Sequence, residues 1–188
     1  MRPSGSQQAH DSDLKLCRHS MPTHSDLDKV WMVVSPQNPF KKKENLARDY
    51  DRLHLVNLAI GDNLNLMSSN VEFAMPTPSY TIDTLSYLRE KHPNKEFLLL
   101  MGEDNLINFH KWKNYEKILE DHEIYIYKRS GSSDHKFHDH PKVRFCEAPL
   151  LGISATFIRN AIHSGKSVQY LVPDAVYTYL SETRLYKK

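Results

Sequence analysis

Apolar residues fall into short blocks separated by turn-forming ones, and the spacing within each block assigns it to a strand or a helix. Lys29-Val30-Trp31-Met32-Val33-Val34-Ser35 is an unalternating, β-rich run bounded by Asp28 and Pro36, which predicts a strand covered on both faces. Ala47 to Ile60 carries Leu53, Val56, Leu58 and Ile60 at near-helical spacing, and Gly61 follows as a helix terminator. Asn70-Val71-Glu72-Phe73 reads as a short strand. Pro76 to Leu85 reads as a proline-stiffened loop entering a helix, with Ser79 or Thr81 as cap and Leu85 and Leu88 on its inner face. Phe97 to Gly102 is the clearest buried strand and ends in the turn Gly102-Glu103-Asp104-Asn105. His110 to Tyr115 leads into a helix reaching about Asp121, followed by strands over Glu123–Arg129 and Val143–Cys146. Leu150-Leu151-Gly152 reads as the end of another strand. Ser154 and Thr156 then supply hydroxyls at a helix start whose apolar face is Phe157, Ile158, Ala161 and Ile162. Gly165 ends that helix, and Pro173 sits in the first turn of the last one. Strands alternating with helices predict an open, mainly parallel α/β sheet.

Ligands of open α/β sheets lie outside the carboxyl ends of the strands, and the loops expected there carry distinctive chemistry. After the first strand, Lys41, Lys42 and Lys43 suit a polyphosphate or simply a solvated face. The Gly102–Asn105 turn offers two carboxylates and an amide, either to a ligand or as helix caps. Trp112 is a core anchor or a flat surface for an aromatic ring. The Ser154–Thr156 helix start presents unpartnered N–H groups, and Arg159 adds a forked cation, although an ordinary cap with a solvated arginine explains the same residues. Phosphate, ribose and base would each find a counterpart in this set.

Composition narrows the class. The 188 residues suit one domain with one sizeable core, and 39% apolar with 26% charged residues is globular usage. A net charge of +2 implies neither a nucleic-acid partner nor a membrane surface. Cys17 and Cys146 form no metal or redox spacing, so a reducing cytoplasm is the expected home. No apolar run approaches the ~20 residues that span a bilayer. His135, His138 and His140 lie in a polar loop that no element orders, and no metal site is expected of them.

From about Ser25 to Lys188 the sequence resembles the bacterial nicotinate-nucleotide adenylyltransferases, nucleotidyltransferases with a Rossmann-like fold. The resemblance is carried by Ser35-Pro36-x-x-Pro39-x-Lys41, Pro78-Ser79-Tyr80-Thr81-x-Asp83-Thr84-Leu85, Gly102-x-Asp104-Asn105, His110-Lys111-Trp112 and Ile153-Ser154-Ala155-Thr156-x-Ile158-Arg159, in this order. It implies transfer of AMP from ATP to nicotinate mononucleotide with Mg2+ accompanying ATP. By the same resemblance Ser154, Thr156 and Arg159 hold ATP phosphates, and Gly102, Asp104 and Asn105 lie by the adenosine ribose. Tyr80, Thr81, Asp83 and Trp112 are implied at the nicotinate ring, with Lys41 or Lys42 and Arg159 as the cations of catalysis. Residues 1–24 depart from the pattern: the family's first, central strand and its His-x-Gly-His motif are not found there. That segment is expected to be a disordered or misread leader before a nucleotidyltransferase domain over 25–188, and the loss implies impaired folding or turnover. A sister enzyme acting on phosphopantetheine or nicotinamide mononucleotide, or a non-catalytic nucleotide-binding module, stays open. So does a homo-oligomer.

Overall fold

The structure, a computed structural model, describes residues 27–37, 47–127, 136–146 and 152–187. β1 (Val30–Val33) leads to α1 (Asp49–Ile60) and β2 (Leu66–Ser69). α2 (Thr81–Lys91), β3 (Leu99–Gly102), α3 (Glu103–Ile107) and α4 (Tyr115–Asp121) follow. The remaining elements are β4 (Ile124–Tyr127), β5 (Val143–Cys146), α5 (Ala155–His163) and α6 (Asp174–Glu182). Every ladder among the described residues is parallel, as the unalternating apolar runs require. β1 pairs with β2, Val30 opposite Leu66 and Val33 opposite Ser69, and β3-β4-β5 form a second ladder in that order. The strand–helix alternation is therefore the expected α/β architecture. Among the described residues the two ladders share no hydrogen-bonded strand; at one end the Trp31 ring lies edge-on to Phe97 at 5.3 Å and to His92 at 5.1 Å. The atypical leader and the central-strand position assigned to it lie outside the described residues.

Among the described residues three apolar clusters hold the elements. The largest joins Ile82 and Leu85 of α2 to Met101, Leu106, Phe109, Ile118, Ile124 and Ile126. A second packs Val56 and Ile60 of α1 under Met32, Val34 and Leu66. The third seats Ile162 of α5 on Val176 and Leu180 of α6. Burying one such aliphatic side chain contributes roughly 1.5–3 kcal/mol, so these clusters rather than helix propensity fix where the loops emerge.

Local readings are corrected in four places. The segment read as a strand over Asn70–Phe73 is a 3-10 turn, Val71–Ala74; Phe73 N–H donates to the Asn70 carbonyl at 2.9 Å, and the strand is the more polar stretch just upstream. Neither Ser79 nor Thr81 caps α2. The cap is Tyr80, extended at φ −115° and ψ 136°, whose carbonyl receives the Asp83 and Thr84 N–H groups, while Ser79 is buried and Thr81 is the first helical residue. Phe157 leaves the apolar face of α5 and is 55% exposed, because the helix rests on Ile158, Ala161 and Ile162 alone. Pro173 stands before α6, at its cap, and the fixed φ of −56° suits that entry. The strand end read at Leu150 and Leu151 lies outside the described residues.

Candidate active site

The loops that follow β1, β3 and β5 leave parallel strands at their carboxyl ends, the side at which such sheets hold ligands. Ser35, Pro36 and Gln37 continue β1, and the Gln37 carbonyl accepts the Ser79 N–H at 3.0 Å, which ties this loop to the entrance of α2. Lys41 and Lys42 belong to residues outside the description.

At that entrance Tyr80 is half-buried against the largest cluster, and Trp112 packs on the same cluster with its ring 5.4 Å from Phe109. Trp112 is therefore anchored by one face without being engulfed. Lys113, which sequence reasoning passed over, joins these residues: its Nζ donates to both Asp83 oxygens, at 2.8 and 3.1 Å, and stands 4.7 Å from the Tyr80 ring centroid. Tyr80, Asp83 and the Trp112-Lys113 pair thus form one group, with Thr81 beginning the helix between them. The only signal for Lys113 in the sequence was its place beside Trp112. Its pairing with Asp83 crosses 30 residues, beyond any local pattern.

Gly102 is the last residue of β3, and α3 begins at the next residue. A Cβ here would stand 2.5 Å from Asp104 Oδ1 and 3.1 Å from the Tyr127 hydroxyl oxygen, so only glycine lets the carboxylate and the phenol close over the strand end. The expected turn is in fact the first turn of a helix. Glu103 and Asp104 occupy it, where the macrodipole favours negative charge, and Asn105 follows half-buried.

Ser154 caps α5 as its spacing implied: Oγ accepts the Phe157 N–H at 3.1 Å. One turn on, Arg159 Nη2 donates to Thr156 Oγ1 at 3.1 Å, which orients the guanidinium along the helix start. Burial pushes the Arg159 guanidinium down from its ordinary value, and the neighbouring Tyr186 phenol acts in the opposite sense. Tyr186 is pushed up by the same burial, offset by Arg159 and Arg52. Arg52, a second cation missed in the sequence, binds Asp49 at 2.8 Å and reaches the Pro36 carbonyl at 3.4 Å from inside α1. Its guanidinium thereby ties α1 to the residues just after β1.

Among the described residues no three His, Cys, Asp or Glu side chains converge as a metal cage, and no helix is long and apolar enough to cross a membrane. The chemistry on offer is therefore of three kinds: aromatic faces, carboxylates close to a strand end, and cations at a helix start. Such a set is chemically suited to hold a nucleotide without a covalent bond.

Residues 18–161 match the cytidylyltransferase-like family model, a match that begins within the stretch read as leader. A probable nicotinate-nucleotide adenylyltransferase of Flavobacterium psychrophilum is 49% identical over 181 residues, covering 95% of this chain and 93% of the relative. One from Cytophaga hutchinsonii is 46% identical over 168 residues, covering 89% and 88%. In fold, the chain is similar to the Plasmodium falciparum nicotinic acid mononucleotide adenylyltransferase complexed with NaAD, with a TM-score of 0.69 at 17% identity over 87% of this chain and 85% of that one.

Proposed function

Because the chain belongs to the nicotinate-nucleotide adenylyltransferases, within the cytidylyltransferase-like family, we propose that it transfers AMP from ATP to nicotinate mononucleotide, releasing pyrophosphate. The observation that carries this reading is the 49% identity spread over 181 residues, too long a match to reflect one shared motif. A 5′-phosphate oxygen of the mononucleotide bonds to the α-phosphorus of ATP as the bond to the bridging oxygen breaks, and the electron pair leaves with pyrophosphate. No covalent enzyme intermediate is needed, so the protein's task is positioning and charge neutralisation.

Trp112 and Tyr80 cradle the nicotinate ring, with Thr81 and Asp83 at the helix start beside them. Gly102, Asp104 and Asn105 sit by the adenosine ribose. Ser154, Thr156 and Arg159 hold the ATP phosphates, and Arg159 with Lys41 or Lys42 meets the charge that builds on the transferred group. Mg2+ suits this arrangement as a companion of ATP, because it is commonly carried by substrate phosphates and waters rather than by an all-protein cage; when bound it offsets phosphate charge. The natural setting is the cytoplasm, and the domain is taken as residues 25–188.

The test is a side-by-side assay of the purified chain with ATP and nicotinate mononucleotide, nicotinamide mononucleotide or phosphopantetheine, reading dinucleotide by chromatography and pyrophosphate by a coupled enzyme. Product with nicotinate mononucleotide at least tenfold above the others is expected. Preference for another acceptor, or nucleotide binding without turnover, overturns the reading.

A further inference from the structure

We infer that Glu72 is a positioning residue that locks Ser35, just after β1, to the entrance of α2 and so fixes where the ring-side residues Tyr80 and Thr81 stand. Glu72 is 7% exposed, an uncommon fate for a carboxylate unless it is well partnered. It is: Ser35 Oγ donates to Oε2, and Thr84 Oγ1 donates to Oε1 at 2.7 Å. The two hydroxyls come from segments 37 residues before and 12 residues after the acid. Ser35 leads into the loop that carries Lys41 and Lys42. Thr84 is one turn beyond Tyr80 and Thr81. A third bond runs parallel to these two, from the Ser79 N–H to the Gln37 carbonyl at 3.0 Å.

Both contacts are hydroxyl donors, and an ionised carboxylate accepts from both at once with an oxygen for each. Charge-assisted bonds of this kind, sheltered from water, resist rearrangement more than a bond between neutral groups does. The 3-10 turn Val71–Ala74 is what aims Glu72 inward. Had the strand continued through Phe73, the side chain would have been fixed by strand alternation rather than by its partners.

Thr84 offers a second acceptor for its hydroxyl, the Tyr80 carbonyl at 3.3 Å. Loss of the carboxylate would therefore let Thr84 turn back into its own helix while Ser35 is set loose. The expected result is a widened gap between the two loops with α2 itself intact.

The kinetic half of the test rests on the adenylyl-transfer reading; the exchange half does not. In Glu72→Ala, hydrogen exchange at the Ser79 amide should rise at least tenfold while amides of β3 and β4 keep their protection. Glu72→Gln, which retains one acceptor and gains a donor, should recover most of it. KM for nicotinate mononucleotide should rise at least tenfold in Glu72→Ala, more than kcat falls, and Glu182→Gln, an exposed substitution at the end of α6, should change neither KM nor Ser79 exchange. Unchanged Ser79 exchange in Glu72→Ala overturns the inference, whatever the assay gives. Loss of protection across β3 and β4 as well also overturns it, since Glu72 would then support the fold at large. Failure of the unaltered chain to bind or turn over the mononucleotide would count against the functional reading alone, with exchange still deciding the tie.

Discussion

The two ends of the proposed site, its ring end and its phosphate end, are built by different means. At the ring end, Tyr80 and Trp112 lean on the largest apolar cluster, Asp83 is held by Lys113, and Glu72 ties Thr84 to Ser35. At the phosphate end, Ser154, Thr156 and Arg159 occupy two turns of one helix beside the exposed Ile153 and Phe157, and Ile158, Ala161 and Ile162 seat that helix. One end is shaped by packing before a ligand arrives. The other is a helix start that offers charge and N–H groups, whose value depends on the anion brought to it. Shape selectivity should therefore reside at the ring end and rate acceleration at the phosphate end.

The sharpest way to break this contrast is Arg159→Ala. Removing a fixed cation from the transferred phosphate should lower kcat/KM by about 100- to 1,000-fold with little change in thermal midpoint, measured by steady-state assay and calorimetry. An equal loss on replacing Trp112 would erase the division of labour. Trp112→Ala should instead raise KM for nicotinate mononucleotide about ten- to a hundredfold, from a stacking contribution of about 1–3 kcal/mol, and leave KM for ATP nearly unchanged.

Gly102→Ala should act on both stability and ATP. The added methyl meets Asp104 Oδ1 at 2.5 Å and the Tyr127 ring at 3.2 Å, so the carboxylate must move and the ring must give slightly. A cost of about 1–3 kcal/mol in denaturant unfolding is expected, with weaker ATP binding in a titration. If affinity for ATP is kept while stability falls, the strand end is a packing feature only.

The smallest effect concerns pH. Burial raises the Tyr186 phenol above its ordinary 10.0, so the neutral form is favoured in the folded chain. A raised value contributes stability that is complete below pH 10.0 and is lost as pH climbs through the folded value. Thermal midpoints should fall on the alkaline side of that point, and Tyr186→Phe should flatten the decline. An unchanged slope would mean that the phenol ionises as freely as in the unfolded chain.

Much of the architecture was legible because burial leaves a local trace. Leu99 to Gly102 is apolar without alternation and is buried at every position, and Val143–Cys146 begins and ends where its composition does. The Ser154 cap was legible for a similar reason, since a hydroxyl before an apolar helix face has few other local uses. What escaped was decided by partners distant in sequence. Val71-Glu72-Phe73 looks like alternating strand, and nothing nearby reveals that the glutamate is drawn inward by hydroxyls on two other segments. Phe157 was taken for a core residue on its apolarity alone, although α5 joins the third cluster through Ile158, Ala161 and Ile162. Lys113 and Arg52 are ordinary surface cations in the sequence; Asp83, Tyr80 and Asp49 give them fixed places.

The electrostatic influence of Tyr186 on Arg159 has a practical corollary for anyone preparing this protein. A purification tag appended after Lys188 would begin within a few residues of a phenol whose charge state acts on Arg159, so its own charge would act on that guanidinium too. Tag position should accordingly be treated as an experimental variable, and a removable one at that.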